Sequence, residues 1–195
     1  LPSPILEALE PSIGGDDTLA AGTAAVLAAV AAKNKAPGDR TLEEQMLLDS
    51  AIPYNLDAWD GYDFERNRVL DFAAQLGSRL VVLAGDTHNA WASQLRSSTG
   101  EVVGVEFATA SVTSPGLDAV LGADAAALFA PLMSILVDDL VYANFLDRGY
   151  LTVAFAEDAV TAEWRYVSTI DSTDYVENEA AFQRRVVQRA DLLLS

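Results

Sequence analysis

The apolar residues follow two rhythms along the chain, and the helical rhythm dominates its first part. Helical spacing and capping residues predict helices over Asp16–Ala32, from Thr41 onward, and over Asp63–Leu76. Thr41 and Glu44 form a capping-box pattern, but Pro53 ends that helix early. In the third helix Asp63 is placed to cap the start and Gly77 the end. Its apolar residues Val69, Leu70, Phe72, Ala73 and Leu76 share one face.

Strand-like patterns begin after Gly77. The predicted strands cover residues 80–84, 90–95, 101–110, 150–155 and 162–167. The first of them, Leu80–Ala84, is uninterruptedly apolar, which predicts a central strand covered on both faces. The polar residues 97–100 predict a hairpin between the second strand and the third.

Two further helical segments complete the pattern. One covers Leu117–Leu140, with breaks expected at Gly122 and Pro131, and the other covers Glu177–Leu194. Helices and strands therefore mix along the chain, which predicts an α/β or α+β fold. No internal repeat or linker divides residues 1–195, so we interpret them as one domain or a large portion of one.

Composition excludes several classes of function. Twenty-nine acidic and twelve basic residues give a net charge of -17, which opposes binding of nucleic acid by charge attraction. The absence of cysteine excludes disulfides and thiolate metal sites within the chain. The uncharged run Thr18–Ala32 is shorter than the roughly 20 residues that span a bilayer. The opening Leu1-Pro2-Ser3-Pro4 lacks a signal-peptide pattern, which indicates an internal start.

Candidate chemistry concentrates in the segment that follows the strand Leu80–Ala84. Gly85 permits a sharp turn, and Asp86 and His88 offer a carboxylate oxygen and an imidazole nitrogen two residues apart. Ligands of open α/β sheets bind where strands end at their carboxyl edge, which favours a metal site here. The alternative is an ordinary tight turn whose Asp and His satisfy backbone groups. A Ser-His-Asp hydrolase would need a nucleophile signature such as Gly-x-Ser-x-Gly, which the chain lacks.

Two other polar clusters accompany this turn. Trp59-Asp60-Gly61-Tyr62-Asp63-Phe64-Glu65-Arg66 combines aromatics, carboxylates and an arginine; its plain interpretation is a helix cap beside packed aromatics. Residues 106–116 carry several hydroxyls as they leave a strand, and they could orient metal ligands or touch a phosphate. An ordinary exit from strand to loop explains that second cluster equally well.

Taken in order, four motifs resemble the PhoD-like phosphatases. They are Trp59-Asp60-Gly61-Tyr62 with Glu65-Arg66, Val82 to His88, Val105-Glu106-Phe107 through Ser114-Pro115-Gly116, and Asp147-Arg148-Gly149-Tyr150 followed by Thr161-Ala162-Glu163-Trp164. The resemblance covers about Thr41 to Val167 and makes the chain similar to the C-terminal portion of that family's catalytic domain. It implies a metallophosphoesterase-like sandwich of two β-sheets flanked by helices, incomplete in this chain, and hydrolysis of phosphate mono- or diesters.

The resemblance also implies roles for particular residues. Asp86 and His88 would be ligands of a di- or multinuclear centre of iron and calcium. Asp60, Tyr62, Arg66 and Asn89 would bind substrate or orient the ligands. Family members are commonly exported, which implies a periplasmic or secreted location.

Departures from the family pattern leave two hypotheses open. The earlier ligands of the family, including an Asp-x-x-Tyr motif, lie in an N-terminal half that this sequence lacks, and residues 46–58 are too short for the helix and strand usual there. The shortness of 46–58 indicates a deletion or a join across residues not included. The first hypothesis is a phosphoesterase completed by that N-terminal half or by a complementary chain. The second is a non-catalytic acidic module that binds calcium or a protein partner.

Overall fold

The computed structural model describes residues 16–50 and 56–194, which form helices, two β-sheets and their connections. The α-helices are α1 (Asp16–Lys33), α2 (Leu42–Asp49), α3 (Asp63–Leu76), α4 (Asp118–Leu121) and α5 (Ala123–Leu136). The strands are β1 (Leu80–Ala84), β2 (Ala90–Arg96), β3 (Val102–Ala108), β4 (Leu140–Asn144), β5 (Gly149–Phe155), β6 (Ala159–Tyr166) and β7 (Gln183–Gln188). Short 3-10 turns cover Pro37–Asp39 and Trp59–Gly61. The predicted mixture of helices and strands is confirmed.

A four-stranded sheet has the order β1-β3-β2-β4. Strands β2 and β3 form the predicted antiparallel hairpin, whereas β1 runs parallel to β3 from Leu80↔Gly104 to Ala84↔Ala108. The prediction of a central strand at Leu80–Ala84 is wrong, because β1 pairs on one side only and Leu83 is 56% exposed. The continuous apolar sequence of β1 predicted that other elements cover both of its faces, but the described residues leave the strand partly exposed.

A three-stranded antiparallel sheet has the order β5-β6-β7. The predicted pairing of the strands near residues 150–155 and 162–167 is confirmed by β5 and β6. The predicted helix over Glu177–Leu194 is wrong, because Gln183–Gln188 pairs with β6 along Ala159↔Gln188 to Trp164↔Gln183. Burial of Val187 and pairing with an open edge of β6 override the helix propensity of this segment.

The two sheets pack against each other around Trp164, which is fully buried. Its ring contacts Phe107 of β3 edge-on, with ring centroids 5.6 Å apart, and Tyr142 of β4 at 5.1 Å. The Trp164 indole donates a hydrogen bond to the Ala108 carbonyl at 2.8 Å. Trp164 therefore joins both sheets through apolar contact and through one buried hydrogen bond.

The helices cover the other face of the four-stranded sheet. Two apolar clusters lie there: one joins α1, α4 and α5 to Leu140 and Phe145, and the other joins α3 to Leu95 and Val103. Helix α3 buries only Leu70 and Ala73 of its five predicted face residues, while the other three are 44% to 62% exposed. No helix within residues 16–50 and 56–194 is long and apolar enough to cross a bilayer.

The helix boundaries correct three local predictions. Tyr62 precedes α3 without a side-chain cap, so Asp63 is its first residue and not its cap. Gly122, in the left-handed region, separates α4 from α5 as predicted, but Pro131 lies within α5. A proline at position 131 leaves the carbonyl of Ala127, four residues earlier, without its helical N–H donor. Pro131 and Ala127 are both exposed, so the helix tolerates this loss. The predicted helix to Leu140 stops at Leu136, and β4 was missed.

The other predicted features of the helices are confirmed. The capping box of Thr41 and Glu44 is present, with Glu44 N–H donating to Thr41 Oγ1 at 3.2 Å and Thr41 N–H to the Glu44 carboxylate at 2.9 Å. Gly77 caps α3 in the left-handed conformation, with φ of 60°. Helix α2 ends at Asp49, and Pro53 lies outside the described residues.

We expect Trp164→Phe to lower the free energy of unfolding by about 2–4 kcal/mol, because it leaves the buried Ala108 carbonyl without its donor and opens a small cavity. Urea unfolding measured by circular dichroism tests this. The control is Phe155→Ala on β5, where the side chain is 64% exposed and a change within about 0.5 kcal/mol is expected. Equal effects of the two substitutions would contradict the role assigned to Trp164.

Candidate active site

Three loops meet at one end of the four-stranded sheet because of its strand directions. Strands β1 and β3 are parallel, so residues 85–89 and residues 109–118 leave the sheet at the same edge. The Thr109 N–H donates to the Ala84 carbonyl at 3.0 Å and extends this pairing into the loops. Strand β4 also ends here, with Asn144 opposite Ala90, which brings residues 145–148 to the same place.

The turn after β1 has an uncommon backbone conformation. Asp86 and His88 have φ of 69° and 58°, in the left-handed region that residues with a side chain seldom occupy. In the described part of the chain, Leu192 is the one other non-glycine residue with positive φ. Each such residue costs on the order of 1–3 kcal/mol and persists where neighbouring contacts hold it, often at functional sites. The turn therefore places both predicted metal ligands in a held, strained conformation.

The His88 ring is oriented by the loop that follows β3. Its Nδ1 lies 2.8 Å from the Pro115 carbonyl oxygen, which can only accept, so Nδ1 carries the proton. In the neutral ring this leaves the lone pair on Nε2. A histidine that binds a metal through one nitrogen commonly donates the other N–H to a backbone carbonyl in this way. His88 is the only histidine of the chain.

Asn89 and Trp91 hold the same turn from beneath. Asn89 is 1% exposed; its amide donates to the Thr87 carbonyl at 2.6 Å and accepts from the Leu117 N–H at 3.1 Å. The Trp91 indole donates to the Thr87 hydroxyl at 3.1 Å. Of the two roles predicted for Asn89, these contacts favour orientation of the turn over contact with substrate.

A cavity of about 590 Å³ lies between this end of the sheet, helix α5 and the Trp59–Gly61 turn. Most of its wall is apolar, including Phe129, Met133 and Phe145. Its ionisable lining residues are all acidic: Asp57, Asp60, Asp86 and Glu106. Among the described residues no lysine, arginine or histidine lines the cavity. Asp86 is therefore part of the cavity wall, whereas the His88 side chain lies outside the lining. The cavity is therefore electrostatically suited to cations.

The other predicted site residues lie beside the cavity at the start of α3. Asp60 lines the cavity and forms an ion pair with Arg66, whose guanidinium also lies 3.5 Å from Asp63. Tyr62 is 55% exposed and stands outside the lining. The structure thus brings Asp60 and Asp86 to one cavity and engages Arg66 with carboxylates. The substrate contacts predicted for these residues stay predictions.

Glu106 is a site residue that the sequence reasoning missed. It lies on β3 opposite Val82 of β1 and lines the cavity, with no hydrogen bond to its carboxylate among the described residues. Burial raises the pKa of the Glu106 carboxyl, and the negative charge of Asp60 raises it further. A single charged residue within the otherwise apolar run 102–108 was the signal available. Of the hydroxyls noted in this segment, that of Ser111 closes a local turn, in which its Oγ accepts the Ser114 N–H at 2.8 Å.

The described residues do not form a complete metal site. Asp86 offers carboxylate oxygens, which both iron and calcium bind, and His88 offers an imidazole nitrogen, which suits iron. Yet no group of three or more Asp, Glu or His in residues 16–50 and 56–194 is arranged to hold a metal ion. These two donors would suit a metal centre only if further ligands were supplied from outside these residues.

Comparison with known proteins identifies the family of this chain. The model of the PhoD-like phosphatase family matches residues 20–164. The chain belongs to the PhoD-like phosphatase family, and the resemblance seen in the motifs of the sequence is confirmed. No solved structure shows a significant match to the chain.

Among characterised proteins, the chain is similar to alkaline phosphatase D of Bacillus subtilis (strain 168). The two are 41% identical over 73 residues, which is 34% of this chain and 12% of that protein. The matched part is thus a small fraction of the relative's length. The shared segment supports the family and leaves the activity of the whole protein to be inferred.

We expect Glu106→Gln to stabilise the chain at neutral pH. A raised pKa means that the folded state holds the Glu106 proton more tightly than the unfolded state. Below the pKa of about 4.3 that Glu106 has in the unfolded chain, the carboxyl is protonated in both states and does not lower the free energy of unfolding. As the pH rises from there through the higher pKa of the folded state, the free energy of unfolding of the wild type falls. The variant lacks this loss, so its advantage should appear above about pH 4 and vanish below it.

Urea unfolding of both proteins across this pH range measures the effect. Glu101→Gln, at an exposed position on the same hairpin, is the matched control and should leave the pH profile unchanged. Wild-type and Glu106→Gln stability curves that run parallel through the whole range would show that the pKa of the half-buried Glu106 is not raised by folding.

Proposed function

We propose that this chain is part of the catalytic domain of a metal-dependent phosphoesterase that hydrolyses phosphate mono- or diesters. In this proposal residues 1–195 are the C-terminal portion of a single metallophosphoesterase domain, and the two packed sheets with their helices belong to its sandwich. Asp86 and His88 supply two ligands of a di- or multinuclear centre of iron and calcium. Membership of the PhoD-like phosphatase family supports the reaction class.

The observation that carries the proposal is the orientation of His88. Its Nδ1 proton is committed to the Pro115 carbonyl, so Nε2 is left as the donor atom available to a cation. Asp86 precedes it by two residues in a turn whose left-handed backbone is held by Asn89 and Trp91. An ordinary surface turn needs none of these constraints, whereas a metal ligand requires a fixed direction.

The charge of the cavity supports the need for cations. Its ionisable lining residues are acidic, so a phosphate ester entering alone would meet like charge. Bound metal ions would neutralise the ester's charge and lower the pKa of a bound water. The residues of this chain would hold the ions, orient them, and exclude water with the apolar wall of Phe129, Met133 and Phe145. Asp60 and Arg66, held as an ion pair at the rim, would then contact substrate.

The remaining ligands would come from the N-terminal half of the same protein or from a complementary chain. The open edge of β1 supports this, because a parallel strand of five apolar residues normally has neighbours on both sides. Leu83 on that strand is 56% exposed, and the neighbouring α3 leaves Phe72 and Leu76 exposed as well. A further strand placed beside β1 would cover this surface and bring its own carboxyl end to the same edge as Asp86.

The competing proposal is a non-catalytic acidic module that binds calcium or a protein partner. The net charge of -17 and the acidic ionisable lining of the cavity favour it. It predicts calcium binding by the chain alone and no phosphatase activity even after the N-terminal half is supplied.

As for localisation, we propose the periplasm or the exterior of the cell, as the family resemblance implies.

We expect His88→Ala and Asp86→Asn each to lower phosphatase activity on the order of 100-fold or more. Residues that merely orient metal ligands typically contribute about 10–100-fold, and a ligand should contribute at least as much. The assay uses the chain together with its N-terminal half, loaded with iron and calcium. Asp158→Asn, an exposed acid between β5 and β6, is the control and should retain activity. Activity of the His88→Ala protein equal to wild type would remove His88 from the site.

We expect Leu83→Lys to distinguish the isolated chain from the completed domain. In the chain alone Leu83 is largely exposed, so the free energy of unfolding should change by no more than about 0.5 kcal/mol. With the N-terminal half present, the lysine would be buried at the covered edge of β1, and a loss of about 1–3 kcal/mol is expected. Phe155→Lys, at another exposed apolar strand position, controls for the added charge. Identical changes in both contexts would mean that this edge stays open.

A further inference from the structure

A buried arginine lies directly behind the His88 turn. Arg148, between β4 and β5, is 5% exposed. It donates to the His88 carbonyl at 3.2 Å and to the Asp147 carbonyl at 3.0 Å, and its guanidinium forms an ion pair with Asp118. Its Nε and Nη2 form no hydrogen bond within the described part of the chain, and Nη2 is the atom that makes the ion pair with Asp118. Burying a guanidinium without satisfying all its donors is costly, so stability alone is a weak reason for this residue.

The partner of Arg148 holds the peptide that orients the His88 ring. Asp118 Oδ1, the atom paired with Arg148, also accepts the Gly116 N–H at 3.0 Å. The carbonyl of that same peptide unit belongs to Pro115 and accepts the His88 Nδ1 proton at 2.8 Å. A carboxylate bonded to the N–H of a peptide polarises it, which makes its carbonyl a better acceptor.

These contacts close a ring of interactions around His88. One side of the ring runs from Arg148 to the His88 carbonyl, and the other runs from Arg148 through Asp118 and the Pro115–Gly116 peptide to the His88 imidazole. Both the backbone and the side chain of His88 are thereby fixed to one buried ion pair. We propose that Arg148 and Asp118 are positioning residues that set the orientation and the Nδ1-protonated tautomer of His88.

Close packing at Gly116 shows how little freedom this arrangement leaves. A Cβ at Gly116 would lie 2.6 Å from Asn89 Oδ1, 2.8 Å from Arg148 Nη2 and 2.8 Å from the His88 carbonyl. The amide of Asn89, the guanidinium and the turn therefore meet with no room for a methyl group. A lysine at position 148 has a single terminal nitrogen, which cannot serve the His88 carbonyl and Asp118 with the same two-sided geometry.

Nitrogen NMR of the imidazole tests this directly, since His88 is the only histidine of the chain. With ¹⁵N-labelled histidine at a pH about two units above the usual histidine pKa of about 6.5, the protonated and unprotonated ring nitrogens give well-separated signals. We expect the wild-type chain to show the Nδ1–H tautomer. In Arg148→Lys and in Asp118→Asn we expect a mixture in which the Nε2–H form, the one favoured by free imidazole side chains, exceeds half.

The matched control is Arg96→Lys, which alters an exposed Arg96–Asp139 pair that also reaches a backbone carbonyl. It should keep the wild-type tautomer. The Trp164 indole signal in the same samples reports whether the core is intact, and Asp118→Asn, with nearly unchanged shape, serves if Arg148→Lys fails to fold. An Nε2–H tautomer in the wild type, or an unchanged Nδ1–H tautomer in a folded Asp118→Asn variant, would overturn the proposal.

The catalytic meaning of this positioning rests on the proposed role of His88, but the tautomer measurement does not. In one outcome the wild type shows the Nδ1–H tautomer and both variants lose it, while the completed protein has no metal-dependent phosphatase activity. That result would support the positioning role and contradict the proposed function. Loss of activity in Asp118→Asn without a change of tautomer would do the reverse.

Discussion

The parallel pairing of β1 with β3 is the constraint on which the candidate site depends. It sends residues 85–89 and 109–118 out of the sheet at one edge, although the paired Ala108 lies 24 positions after Ala84 along the chain. Because the two loops lie side by side, the Pro115 carbonyl can accept a hydrogen bond from His88 Nδ1. The strained turn then persists because several contacts hold it at once, and its left-handed residues would relax in a freer loop.

Local pattern predicted most of the elements, and the failures share one physical cause. Thr41, Glu44 and Gly77 act through neighbours three to five residues away, so their caps follow from sequence. The segment over β7 has helix-forming residues, yet its place is decided by the open edge of β6, a distant partner. The same holds for β1, whose apolar run predicts burial that the described residues do not provide. Non-local pairing is what local propensity cannot report.

For the site, residue types could be predicted and their geometry could not. Asp86 and His88 stood out because a carboxylate and the sole histidine follow an apolar run. Glu106 and Arg148 were overlooked as site residues, since each becomes significant only through burial against residues far along the chain. Asn89 was predicted from its place in the motif, whereas its two hydrogen bonds, to the Thr87 carbonyl and from the Leu117 N–H, could not be predicted. The local sequence shows which chemical groups are present, whereas their positions depend on how the strands assemble at the sheet edge.

The central claim is that the Asp86 carboxylate and His88 Nε2 meet at a cation. Anomalous diffraction at the iron absorption edge, from crystals of the chain completed by its N-terminal half and grown with iron and calcium, tests it most directly. The account predicts a metal peak about 2.0–2.6 Å from both His88 Nε2 and the Asp86 carboxylate, with Nδ1 still hydrogen-bonded to the Pro115 carbonyl. Metal peaks remote from both residues, or a peak on Nδ1, would contradict it.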